Sequence, residues 1–251
     1  MLEVCVDSLE SAFAAVEGGC SRIELCSALS EGGLTPSPGV LKVLKSQTNI
    51  PIFCMLRPRG GWDFQYSDDE ITAILHDIEI LSSLGADGFV FGALDKHGEV
   101  EVEQCKTIIR KCGKNVSVTF HRAFDFTNPK NMITNLELLE NLGFSRVLTS
   151  GFEETVELGL ENIKEMSTWS KDKNLIILPG SGINEKNLEK ILFQTNLTEF
   201  HSSAKRKKSH LHGTLTGSGI KSENQDVYVT DATIVQKLVK IIDNFKVRNT
   251  L

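Results

Sequence analysis

GCSRIELC (19–26), GADGFVFG (85–92) and GFSRVLTS (143–150) repeat one pattern, and NLTEFHSS (196–203) aligns with them. These segments are every second member of a longer series of β-rich runs, at residues 2–6, 22–25, 52–56, 88–91, 116–120, 146–148, 175–178 and 198–201. The stretches between them carry apolar residues at helical spacing, clearest in Ile71, Ile74, Leu75, Ile78 and Leu81, in Leu136, Leu139 and Leu142, and in Ile234, Leu238, Ile241 and Ile242. Strict alternation of strand and helix implies a parallel sheet. A doubly wound open sheet would satisfy that alternation too. Repetition among the even-numbered units is what a closed ring of similar units produces, so an α/β fold of the (β/α)8 TIM-barrel type is expected, as a single domain over residues 1–251. Ser67 with Glu70 reads as a capping box, and Gly85 and Gly143 read as helix ends.

Barrel interiors stack side chains from alternate strands in layers. The alignment therefore predicts Arg22, Gly88, Arg146 and Glu199 at the bottom, Glu24, Val90, Leu148 and His201 above them, and Cys26, Gly92, Ser150 and Ser203 at the mouth. Inward charges must pair, because an isolated buried charge is costly. Arg22 or Arg146 is expected to meet Glu199, while Glu24 and His201 lie nearer the end where barrel enzymes work.

Composition narrows the function classes. The chain is 40% hydrophobic and 24% charged, with a net charge of −6, which argues against broad nucleic-acid binding. No apolar run approaches the ~20 residues that cross a bilayer, and the N-terminus enters a strand at once, so a cytoplasmic protein that contacts no membrane is expected. Six cysteines, none in a C-x-x-C pair, suit reduced thiols. Cys54, Cys105 and Cys112 are expected to be packing residues.

Period two places Glu3, Cys5 and Asp7 on one face of the first strand. If that face is inward, Cys5 approaches Cys26 on the neighbouring strand, where the two thiols either share a soft metal ion or fill apolar space. After the third strand, PIFCMLRPRGG (51–61) offers Arg57 and Arg59, whose forked guanidiniums can clamp a carboxylate or phosphate. After the fifth, His121, Arg122 and Asp125 put an acid–base candidate, a cation and a carboxylate together; His121, Asp125 and Glu24 are the expected catalytic groups. Gly180, Ser181 and Gly182 after the seventh strand, with Ser202 and Ser203 after the eighth, stand where barrels bind phosphate. The basic run Lys205, Arg206, Lys207 and Lys208, followed by His210 and His212, reads as a solvated loop, with a nuclear-import signal or a basic lid as alternatives.

EVCVDS (3–8), IELCSALSEGGLTPS (23–37), RPRGG (57–61), DGFVFGAL (87–94), VTFHRAFD (118–125), RVLTSG (146–151) and EFHSSA (199–204) closely resemble the CutC copper homeostasis family, nearly end to end. The resemblance implies a barrel that forms homo-oligomers and handles intracellular copper, with Cu(I) held by Cys5 and Cys26. Two departures stand out: the glycine-rich turn after the seventh strand carries Ser181 in its centre, and Trp62 is an insertion after RPRGG. Two functions compete. One is a Cu(I) storage or trafficking protein that needs two cysteines; the other is an enzyme acting on a small anionic metabolite, which uses the whole mouth.

Overall fold

A computed structural model of the chain describes residues 1–208 and 227–249. His210 and His212 lie outside the described residues. The order is β1 (Leu2–Val6), α1 (Leu9–Glu17), β2 (Arg22–Leu25), α2 (Pro38–Gln47), β3 (Ile52–Met55), α3 (Asp68–Ser83), β4 (Gly88–Phe91), α4 (Val102–Cys112), β5 (Ser117–Phe120), α5 (Met132–Leu142), β6 (Arg146–Thr149), α6 (Leu160–Trp169), β7 (Ile176–Pro179), α7 (Leu188–Thr195), β8 (Phe200–Ser202), β9 (Lys205–Lys207), β10 (Tyr228–Thr230) and α8 (Ala232–Asn249). The first eight strands form one parallel sheet in the order β7-β6-β5-β4-β3-β2-β1-β8. The sheet curls into a nearly closed TIM-type barrel, with its seam between β7 and β8. At that seam the Ser202 hydroxyl donates to the Ile183 carbonyl at 2.9 Å.

Alternation in each strand sorts side chains between two cores. Val4, Val6, Ile23, Leu25, Ile52, Phe89, Phe91, Val118, Phe120 and Val147 pack outward against the helices, and Cys20, Cys54, Cys105 and Cys112 join them as packing residues. Inside the ring, Cys26, Phe53, Met55 and Val90 form a small second cluster. Helix boundaries follow local chemistry. Ser67 accepts from the Glu70 amide at 3.2 Å while the Glu70 carboxylate accepts from the Ser67 amide at 2.8 Å, closing the capping box; Gly143 ends α5 in the left-handed region.

The basic run departs from the expected loop. Lys205–Lys207 is a strand paired antiparallel with β10, in the register Lys205 to Thr230 and Lys207 to Tyr228. Its charges are engaged: Arg206 pairs with Asp231 at 2.7 Å, Lys208 with Glu10 at 2.6 Å, and the Lys205 ammonium lies 4.9 Å from the Tyr228 ring centre.

Candidate functional site

The polar interior is a continuous column rather than scattered pairs. At its base Glu199 receives Arg146 and Arg22, each at 2.8 Å, and Arg22 reaches on to Glu3 at 2.5 Å. The Phe53 ring lies against both guanidiniums, 4.9 Å from Arg22 and 5.4 Å from Arg146, in the space that Gly88 leaves by having no side chain. Above this base the β1–β8 register sets Glu3 beside His201, and Glu3 Oε1 meets His201 Nδ1 at 2.7 Å. The β1–β2 register sets Cys5 beside Glu24. Ligand atoms of Cys5, Glu24 and His201 all lie within 4.8 Å of one another, and Cys26 Sγ donates to Glu24 Oε2 at 3.6 Å.

Burial and neighbouring charge set the protonation here. Burial alone would raise the Glu3 carboxyl, but Arg22 and His201 overcome it and hold Glu3 down at about 2. Glu24 is pushed up to about 7 by burial, reinforced by the charge of Glu3 and only partly offset by His201. Burial disfavours a charged His201, yet Cys5, Glu24 and Glu3 outweigh it and raise His201 well above its ordinary value. Burial and Glu24 push the Cys26 thiol up. A metal held here must therefore displace protons from its ligands. Glu3 was not among the expected working residues, and His201 was placed near the working end of the barrel but given no role. The signal for them existed: Glu3 shares a face with Cys5, and His201 falls in the same layer as Glu24.

A second cluster occupies the mouth. His121, at the end of β5, accepts the Ala123 amide on Nδ1 at 3.1 Å, and its buried Nε2 has no partner among the described residues. Gly92 makes room for the ring, since a Cβ there would sit 2.5 Å from His121 Cε1. Burial, assisted by the positive charge of Arg57, lowers His121 to about 3, so the imidazole is neutral near pH 7 and carries its proton on Nε2. It can donate a hydrogen bond there and is a poor base.

The arginines are arranged differently from the expected clamp. The buried Arg57 guanidinium donates to the carbonyls of Glu31 at 2.6 Å, Gly33 at 3.1 Å and Gly61. It also lies 5.6 Å from the Trp62 ring centre and 5.3 Å from that of Phe64. Arg59 is held by Glu70 at 2.6 Å, Asp63 at 3.1 Å and the Gln65 carbonyl at 2.6 Å. Both guanidiniums are thus held by groups of the neighbouring loops rather than left free to clamp an anion. Trp62 stacks on Phe126 with ring centres 5.8 Å apart, and both are largely exposed.

Asp125 is likewise occupied. Its carboxylate accepts from Arg122 at 2.9 Å, from the Ser150 amide and hydroxyl at 3.0 Å each, from the Phe152 amide at 3.2 Å and from the Thr149 hydroxyl. It joins the loop after β5 to the loop after β6 and has little lone-pair capacity left for proton transfer. In the turn after β7, Ser181 takes φ 71° and Gly182 φ 83°, so the serine occupies backbone space usually left to glycine. Its hydroxyl donates to the Glu154 carbonyl at 2.7 Å. Ser202 Oγ accepts from the Ala204 amide at 3.1 Å, and the Ser203 carbonyl accepts from Thr230 at 3.1 Å. No hydrogen bond or ion pair links Arg57 or Arg59 to Gly180, Ser181, Gly182, Ser202 or Ser203 among the described residues.

The chain is similar to known proteins throughout its length. A family model described as the CutC family matches residues 1–206. A copper homeostasis protein cutC homolog of Drosophila melanogaster is 47% identical over 247 residues, covering 96% of this chain and 93% of the relative. The Homo sapiens homolog of the same name is 44% identical, covering 98% of this chain and 90% of the relative. The crystal structure of the CutC protein of Streptococcus agalactiae superimposes with a TM-score of 0.76 at 28% identity, covering 81% of this chain and 98% of that one. Matched across most of its length by both the family model and these relatives, the chain belongs to the CutC family.

Proposed function

We propose that the protein serves copper homeostasis as a Cu(I)-binding barrel, with Cys5 and Cys26 as the thiolate ligands of a copper cargo. The observation that carries this reading is the convergence of both thiols on Glu24: Cys5 is its neighbour across the β1–β2 ladder, and Cys26 Sγ lies 3.6 Å from its Oε2. Soft thiolates favour Cu(I) over hard cations. Family relatives named for copper homeostasis support the same direction. A cytoplasmic and partly nuclear location, and assembly into a homo-oligomer, belong to this reading; light scattering of the purified chain tests the assembly.

The decisive experiment is an anaerobic Cu(I) titration against a strong chelator. The Cys5→Ser, Cys26→Ser double variant should bind at least tenfold more weakly than the wild type, a loss of about 1.4 kcal/mol or more. Equal affinity in the two proteins overturns the assignment.

A second reading, an enzyme acting on a small anionic metabolite, is favoured by the His121 Nε2 at the mouth, which has no partner among the described residues. A neutral imidazole that donates from Nε2 suits polarising a carbonyl or holding an oxyanion. On this reading the anion rests on the turn of Gly180, Ser181 and Gly182 with Ser202 and Ser203, while Arg57 and Arg59 shape the loop. Calorimetry with inorganic phosphate tests it: binding weakened by His121→Ala supports the reading, and no heat with either protein defeats it.

A further inference from the structure

We propose that Cys5, Glu24 and His201 form a site for a divalent transition-metal ion of the zinc and cobalt(II) class, with three protein ligands and one coordination position left for water or a small ligand. The copper reading and this one share Cys5, so the two ions exclude one another.

The backbone brings the three donors together. Cys5 and Glu24 are ladder partners on β1 and β2, and His201 is the ladder partner of Glu3, two residues before Cys5 on the same face of β1. All three are buried, and their ligand atoms lie within 4.8 Å of one another. His201 Nε2 and Glu24 Oε2 are 3.9 Å apart. That is too long for a hydrogen bond, and close to the ~3.3–3.8 Å between ligand atoms on a tetrahedral ion with bonds of ~2.0–2.3 Å.

Two further features point to a ligand. The Glu24 Oε1 atom is buried without a partner among the described residues, which a polar interior does not tolerate cheaply unless something else fills the place. His201 is also oriented as metal-binding histidines are, its Nδ1 held at 2.7 Å by the Glu3 carboxylate so that Nε2 faces Cys5 and Glu24. Glu3 is fixed in turn by Arg22 at 2.5 Å, and Arg22 by Glu199 at 2.8 Å. Cys26 fits as a neighbour that donates to the Glu24 carboxylate.

The donor set selects the ion. One thiolate and one carboxylate balance a double positive charge, and a mixed sulfur, nitrogen and oxygen set suits a borderline ion rather than the soft Cu(I) or the hard Mg2+. Three protein ligands with an open fourth position is the pattern of zinc sites that activate water.

Cobalt(II) provides the readout. The full-length, metal-free protein is titrated anaerobically with Co2+ while absorption is recorded for the sulfur-to-cobalt charge-transfer band and the intense visible bands of four-coordinate cobalt. One equivalent should generate both in the wild type and in Cys26→Ser. Cys5→Ser should lose the charge-transfer band, and Glu24→Gln, which keeps the side chain's shape, should bind at least tenfold more weakly. Circular dichroism checks the fold of each variant. His201→Asn, with Glu24 intact, should repeat the loss and replaces Glu24→Gln if that chain does not fold. Only the weak absorption of hydrated cobalt in the wild type overturns the proposal. So does a loss in Cys26→Ser as complete as in Cys5→Ser, which would put the ion on the cysteine pair. Added Cu(I) should bleach the cobalt bands. Weak Cu(I) binding alongside normal cobalt spectra would remove the copper reading and leave this one standing.

Discussion

His121 illustrates how far a residue's type falls short of its chemistry. Its position after a strand was legible, because a polar cluster at a strand end stands out in sequence. Its neutrality was not, since that depends on complete burial and on the charge of Arg57, which approaches through the fold. The sign of the pH effect follows. With a folded value of about 3 against an ordinary 6.5, the unfolded chain takes up this proton first. The contribution of His121 to stability is present above about pH 6.5 and is lost as pH falls towards 3, by at most about 1.4 kcal/mol per unit. An NMR titration of the ring should show no change between pH 8 and 5; a midpoint near 6 would contradict the assignment. Arg57 teaches the same lesson. The sequence supplied a cation after β3, but its carbonyl partners come from the loop after β2 and from Gly61. Arg57→Ala should therefore lower stability by about 3 kcal/mol in chemical denaturation, as expected for removing hydrogen bonds made by a buried charge. An unchanged denaturation midpoint would restore the free anion clamp.

At the scale of elements the even-numbered strands were readable because their repetition reports the stacking inside the ring. Gly88 shows why. The alignment put a glycine where Arg22 and Arg146 have long side chains, and Phe53 from the neighbouring strand fills the gap. A Cβ at position 88 would stand 2.6 Å from the Phe53 ring. Gly88→Ala should cost about 1–3 kcal/mol through overpacking, measured as a lowered thermal midpoint. Combining it with Phe53→Leu should recover part of that loss, and a Gly88→Ala chain as stable as wild type would refute the packing account. The β9 and β10 pair was not legible. Three consecutive basic residues look like solvated loop, and their strand partners lie more than 20 residues further along the chain. Pairing at that distance leaves no local periodicity to read.

Across the whole molecule the ionic column joins β1, β2, β6 and β8. Glu199 alone holds two guanidiniums, so Glu199→Gln leaves them under-compensated in a buried space and should destabilise the protein by about 3–5 kcal/mol. A loss below about 1 kcal/mol would mean that solvent reaches the base. Acid acts on the same column. Because Glu3 sits at about 2 against an ordinary 4.5, its stabilising share is complete above about pH 4.5 and disappears as pH falls towards 2. The pairing of Arg22 or Arg146 with Glu199 was foreseeable from the rule that buried charges are compensated. Of the extension to Glu3 and His201 only the inward faces were legible; that the two meet required knowing which residues the ladder sets side by side.

The column also bears on biosynthesis. Glu3, Arg22 and Arg146 leave the ribosome long before Glu199, which directly precedes β8, and His201 within it, which together complete their network. Until then Arg22 has Glu3 but Arg146 lacks its carboxylate partner, so closing the ring would bury an uncompensated guanidinium and the growing chain is discouraged from settling early into a barrel of too few strands. A polypeptide ending at Thr195, the last residue of α7, should accordingly be helical yet unfold without a sharp transition, and should wait on the translation of β8 to become a protein.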